Sequence, residues 1–99
     1  MSIQRSLCEA INNHQIVQFY YEGHLRIVEP HLVREKTSGN ICLSAWQVGG
    51  YSESDRQPPW RNYVLDNITQ LALTNDKFSG SRPGYNPNDR TMSRIICRL

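Results

Sequence analysis

At 99 residues the chain has room for one domain, and its 38% hydrophobic and 20% charged residues exclude a disordered segment, while no apolar run is long enough for a membrane helix. The net charge of +2 is unevenly spread: from Lys77 onward five basic residues (Lys77, Arg82, Arg90, Arg94, Arg98) face one acid, Asp89, so the preceding part sums to −2. Nine of the eleven basic residues are arginine, whose planar fork suits phosphate or carboxylate, although a solvated basic face has the same composition.

Ile3, Leu7, Ala10 and Ile11 recur at helical spacing, which predicts a short amphipathic helix with Ser2 as its cap and Asn12-Asn13 as its stop. From Ile16 the period becomes two. Val17, Phe19 and Tyr21 share one strand face, Gln18 and Tyr20 the other, and Glu22-Gly23-His24 supplies a turn. Leu25–Val28 reads as the returning strand, ended by Pro30 because proline has no backbone donor, and His31–Glu35 as a further short strand or extended arm. After the turn at Thr37-Ser38-Gly39-Asn40, Ile41, Leu43 and Ala45 alternate with Cys42, Ser44 and Trp46.

A loop is expected from Gln47 to Pro59, marked by Gly49-Gly50, Ser52-Glu53-Ser54-Asp55 and Pro58-Pro59. Trp60–Leu65 resumes strand alternation, Asp66-Asn67 caps a single helical turn at Ile68, and Leu71 and Leu73 continue a last barrel strand. The tail carries the turn signals Pro83-Gly84 and Pro87-Asn88. Its last segment fits a helix through Met92, Ile95, Ile96 and Leu99, or a strand through Ile95, Cys97 and Leu99, and the β-branched Ile95-Ile96 run favours the strand. Five or six short strands with one helix predict a small closed barrel. Cys8, Cys42 and Cys97 are odd in number and far apart, with no C-x-x-C pair and no apolar leader, so they read as buried thiols of a cytoplasmic protein.

The order of these features resembles the WYL domain, a family of bacterial regulatory modules, from Leu7 to about Phe78. The resemblance is carried by the helix Ser6–Ile11, the strand Ile16–Tyr21, Arg26 followed by Val28-Glu29-Pro30, Leu32, the strand Ile41–Leu43, and Arg61-Asn62-Tyr63-Val64-Leu65-Asp66-Asn67-Ile68. At the positions that name the family the chain has Ile41-Cys42-Leu43, and where members commonly carry further arginines after Arg61 it has Val64 and Asn67. The resemblance implies a mainly β, SH3-like or Sm-like barrel over residues 1–78, with 79–99 a basic extension packed on the barrel or on a partner subunit. Members commonly carry a helix-turn-helix domain ahead of this module. Here the chain begins almost at the module's first helix, which implies a stand-alone form.

By the same resemblance the barrel senses an anionic ligand such as a nucleotide, or single-stranded nucleic acid. Arg61 is the leading candidate contact and Arg26 the second, with pairing of Arg26 to Glu22 or Glu29 as its structural alternative. His31 is a candidate phosphate donor, or a histidine satisfied by backbone. Trp46, Trp60, Tyr63, Tyr51 and Tyr85 are candidates to stack on bases, whereas Phe19 and Tyr21 are assigned to packing and Tyr20 to the exposed face. Arg82, Arg90, Arg94 and Arg98 would extend a nucleic-acid surface. A third reading has Ile95-Ile96-Cys97 adding as a strand to a second copy to make a homodimer. Neither a catalytic motif nor ligand-like spacing of His14, His24, His31 and the cysteines is present, so no enzyme activity, metal or cofactor is expected.

Overall fold

The computed structural model describes residues 2–51, 59–87 and 94–99. The expected loop acids Glu53 and Asp55, together with Arg90, Met92 and the second residue of the Pro87-Asn88 turn, lie outside them. One helix, α1 (Ile3–Asn12), precedes six strands: β1 (Gln15–Tyr21), β2 (His24–Glu35), β3 (Ile41–Gly50), β4 (Trp60–Val64), β5 (Ile68–Lys77) and β6 (Arg94–Arg98). A single 3-10 turn, Leu65–Asn67, separates β4 from β5. This helix is far too short to cross a membrane, and no other described helix is long enough.

The helix begins and ends where its residues dictate. Ser2 lies in extended backbone and its hydroxyl accepts the Arg5 N–H at 3.0 Å, while Asn13 closes the last turn by donating to the Glu9 carbonyl. Leu7, Ala10 and Ile11 form the buried stripe. Between β1 and β2 the turn is two residues long, with Tyr21 opposite His24 and positive φ at both Glu22 (54°) and Gly23 (78°). Turns of this hand match the twist of the strands they join, and glycine takes the second position without a Cβ clash.

All strand pairings are antiparallel, in the order β4-β3-β2-β1-β5, with β6 also paired to β2. The expected stop at Pro30 does not occur: β2 runs through it for twelve residues. One edge of β2 pairs with β3 along most of its length, and the other pairs with β1 as far as Val28 and with β6 from Leu32. Pro30 falls in the interval between β1 and β6, so its missing donor interrupts neither ladder on that edge. The loop expected from Gln47 to Pro59 is also shorter, because β3 continues through Gln47–Gly50. The final segment is a strand, and it pairs within its own chain: Arg94 stands opposite Glu35, with an ion pair at 2.8 Å.

The sheet is open rather than closed into the expected barrel, since β4 and β5, its two ends, do not pair among the described residues. Two features account for this. β4 has only five residues, and at its end the Val64 N–H is donated to the Tyr21 hydroxyl at 3.1 Å instead of to a neighbouring strand. Leu65, which opens the 3-10 turn, and Ile68, which follows it, are buried and anchor the corner. The core comprises Leu7 and Ile11 from the helix packed on Val17, Phe19, Val28, Val33, Leu43 and Tyr63 from the sheet.

The reading of three free thiols is corrected by a Cys8–Cys97 disulfide, leaving Cys42 as a buried thiol. Spacing could not reveal it, because 89 residues separate the partners and only the return of β6 beneath α1 brings their Cα atoms within 5.7 Å. A cross-link joining the two ends of a chain removes much of the unfolded state's freedom. Converting Cys8 and Cys97 together to serine should lower the unfolding free energy by about 2–5 kcal/mol in urea titrations. Thiol titration of the unfolded, unreduced protein should find Cys42 alone reactive, and three reactive thiols would show that the bond is not formed.

Candidate functional site

The site begins with a register slip. Pro30 faces Ala45 and Leu32 faces Ser44, so His31 is an extra residue bulged out of β2. At the bulge His31 packs edge-on to the rings of Trp60 and Tyr85, and its neighbour Leu32 lines the same cleft as both rings. Trp60 stands opposite Trp46 where β4 pairs with β3, their ring centroids 5.5 Å apart and perpendicular.

His31 is fully buried, and its hydrogen bonds fix its protonation. One ring nitrogen, Nδ1, lies 2.8 Å from the Glu29 carbonyl, which can only accept, so Nδ1 carries the proton. The other, Nε2, accepts the Arg82 backbone N–H at 3.1 Å. The imidazole is therefore neutral, with both nitrogens satisfied. Burial lowers its pKa below the ordinary 6.5, and the nearby Arg82 charge acts in the same direction, against the opposing effects of the Glu29 carbonyl and carboxylate. Phe78 stacks on His31 at 5.5 Å and on His14 at 5.3 Å, fastening the point where β5 leads into the tail.

Residues 82–85 form a strap across this face. The Arg82 guanidinium makes two bonds, 2.8 and 2.9 Å, to the buried Glu29 carboxylate and lies 5.2 Å over the Trp46 ring. Trp60 donates its indole N–H to the Pro83 carbonyl at 2.7 Å, and the Tyr85 hydroxyl donates to the His31 carbonyl at 3.3 Å. Gly84 has φ +89°, and a Cβ there would come within 3.1 Å of the Trp60 indole nitrogen, so only glycine fits between strap and ring.

Between the strap and the sheet lies a cleft of about 170 Å³ lined by Arg34, Ser44, Trp60, Arg61, Asn62 and Tyr85, among others. Ser44 donates to Asn62 Oδ1 at 2.8 Å across the β3–β4 ladder, and Arg61 donates to the Trp60 carbonyl at 2.9 Å. Two arginines, two aromatic rings and a polar strip thus converge on one concavity.

Of the residues singled out from sequence, Arg61, Trp60 and Tyr85 line the cleft, while His31 and Trp46 support it from beneath the strap. Arg26 and Tyr63 are elsewhere, inside the fold. Arg26 is buried, donates to the carbonyls of Tyr21 and Tyr51 at 3.1 Å each, and lies over both their rings. Its contact with Glu22 is 3.7 Å and that acid is exposed, so the carbonyls do most of the holding. Tyr63 packs edge-on to Phe19 and Tyr21 at 5.0 Å, and burial pushes its hydroxyl pKa up to about 12. Tyr51 stacks on His24 at 3.8 Å.

The described tail arginines each have a partner within the chain, and Arg90 lies outside the described residues. Arg82 is bound to Glu29, Arg94 to Glu35, and Arg98 donates to the Leu99 carbonyl oxygen at 3.4 Å. Sequence reasoning missed Arg34, Ser44, Asn62 and Glu29. The usable signal was strand alternation from Leu32 to Arg34, but the register joining Leu32, Ser44 and Asn62 across three strands is set by the bulge. Among the described residues no group of three His, Cys, Asp or Glu side chains could hold a metal ion.

Comparison with family models, with curated proteins and with solved structures gives no significant match to this chain.

Because the native state holds His31 neutral and the unfolded state does not, the histidine's contribution to stability is complete above pH 6.5. It is lost as pH falls from there through the lower native pKa, where the unfolded state binds the extra proton. Melting temperatures measured from neutral to mildly acid pH should fall in that window. Replacing His31 with Gln should flatten the fall, and an equally steep profile in that variant would exclude His31 as its source.

Proposed function

We propose that this chain is a non-enzymatic binding module whose cleft takes an anionic ligand carrying a flat ring, a mononucleotide being the chemical type. The observation that carries the reading is the convergence of Arg34 and Arg61 with Trp60 and Tyr85 around one cleft. Guanidinium groups supply charge-assisted, often bidentate bonds to phosphate oxygens, and ring faces supply stacking for a base. Ser44 and Asn62 add neutral hydrogen-bonding groups on the same wall.

Size narrows the occupant. At about 170 Å³ the cleft is smaller than the ~300 Å³ at which drug-sized pockets begin, so a phosphate and part of one ring fill it while the remainder stays in solvent. Affinity is then modest, as suits a sensor of an abundant metabolite. The same reading takes the chain as a WYL-like module built on an SH3-like or Sm-like sheet. In support are the single N-terminal helix, the antiparallel sheet and the place of Arg61 at the cleft.

Both tryptophans of the chain, Trp46 and Trp60, belong to this face, so intrinsic fluorescence reports directly on binding. Titration with adenosine monophosphate should give a saturable change, with adenosine and inorganic phosphate each weaker than the intact nucleotide. Arg61→Ala should weaken the nucleotide roughly 10- to 100-fold, the equivalent of losing a hydrogen bond to a charged group of about 1.5–3 kcal/mol. The reading fails if adenosine monophosphate leaves the spectrum unchanged at millimolar concentration, or if Arg61→Ala binds it as tightly as the parent.

A further inference from the structure

A second recognition element lies at Trp46, which meets Trp60 edge to face, and it has the opposite charge preference. The Glu29 side chain is 5% exposed, yet both carboxylate oxygens face outward to meet one guanidinium. That guanidinium belongs to Arg82, 53 residues away, whose own side chain is 42% exposed. The indole of Trp46 forms one wall, with the Arg82 carbon 5.2 Å from its centroid. A buried carboxylate presented in bidentate geometry beside an aromatic face is complementary to a guanidinium in charge, plane and stacking. Its present occupant is reached from solvent.

We propose that Glu29 and Trp46 form a guanidinium-binding slot, which Arg82 fills in cis and which accepts an arginine side chain from a partner polypeptide when the strap lifts. The slot does not depend on the anion cleft, whose arginines play no part in it. Two observations favour an exchangeable occupant, and one sets its cost. Arg82 is held to Glu29 at an accessible rim, not within the core. Beyond the guanidinium, the strap is tied by hydrogen bonds at the Arg82 N–H, the Pro83 carbonyl and the Tyr85 hydroxyl. It also enters through Ser79-Gly80-Ser81, where a Cβ added at Gly80 would meet nothing within 4 Å. A partner's arginine would regain the same two bonds and ring contact, so at Glu29 itself the exchange is even, and its cost is the strap's three other hydrogen bonds. Lysine would not, since an ammonium offers no planar fork.

Chemical complementation tests this in the intact chain. Arg82→Ala strips the slot and leaves Glu29 buried without its partner, so the variant should melt below the parent. Ethylguanidinium at millimolar concentration should raise its melting temperature saturably while leaving the parent unchanged, and ethylammonium at equal concentration should not. N-acetylarginine methylamide should match ethylguanidinium, and a peptide copying Ser81–Tyr85 should act at roughly tenfold lower concentration than either if the occupant is a peptide arginine rather than a free guanidino compound. In the Glu29→Gln, Arg82→Ala double variant all rescue should vanish. Equal rescue by ethylammonium, or rescue that survives in the double variant, overturns the slot, as does absence of saturable rescue in a folded Arg82→Ala protein. Should that variant fail to fold, Arg82→Lys replaces it, and the guanidinium ligands are expected to act on it in the same order but at higher concentration, because the lysine ammonium competes for Glu29. Equal potency of the peptide and the small guanidinium compounds overturns the peptide assignment. Nucleotide titration of the parent reads the anion cleft separately, so failure of either reading is distinguishable from failure of the other.

Discussion

One backbone, that of β2, has to satisfy three strands. It pairs with β3 on one edge and divides the other between β1 and β6, and the changeover falls at Pro30 and the bulged His31. A proline is tolerated there because that interval lacks a partner on the divided edge, and the bulge at His31 falls beside it in the β3 ladder on the opposite edge. From this crossing come the pairing that holds the C-terminus, the burial of His31 and the placement of Leu32 against Trp60. Site and fold therefore share a cause: the residue that resolves the register conflict is the residue to which the strap is tied.

His31 illustrates how a single buried group can serve several elements at once. Its carbonyl accepts from Leu99 and Tyr85, its Nδ1–H returns to Glu29, and its Nε2 receives Arg82. Each partner comes from a segment distant in the chain except Glu29. A neutral imidazole is the side chain that offers one donor and one acceptor on opposite sides of a flat ring, which also stacks on Phe78. Charging it would place a donor against the Arg82 N–H, so the neutrality enforced by burial and the attachment of the strap are one condition stated twice.

What could be read from the sequence divides along sequence distance. The Ser2 cap, the Leu7–Ala10–Ile11 stripe, the Glu22-Gly23 turn, the buried face of Val17 and Phe19, and exposed Tyr20 were all legible, because propensity, capping and alternation act within a few residues. The strand character of Arg94–Arg98 was legible for the same reason. The passage of β2 through Pro30 was not: a proline ends a ladder only where a partner waits for its N–H, and partners are set by tertiary register. The Cys8–Cys97 bond, the open ends of the sheet and the Arg82–Glu29 pair share this property. At the site, Arg61 and Trp60 were accessible through their strand and its resemblance, whereas Arg26 and Tyr63 were misjudged because alternation places a side chain on a face without saying what that face meets. Arg26 stands opposite core residue Phe19, and its fork is consumed by two backbone carbonyls.

The strap borders both the cleft at Trp60 and the Glu29–Trp46 pair. Arg82 belongs to the guanidinium slot, and Gly84 and Tyr85 belong to the anion cleft, with Pro83 bonded to the indole between them. These four residues are consecutive, so a lifting of the strap that took Arg82 out of the slot would also displace a wall of the cleft. An occupant of the cleft that stacks on Tyr85 would oppose that movement, and an arginine entering the slot would favour it. Linkage makes the relation reciprocal: whatever one ligand does to the strap must appear as an equal change in affinity for the other. The net charges are suited to such antagonism, since an anion held by Arg34 and Arg61 and a cation held by Glu29 select opposite ligands while depending on one short stretch of chain.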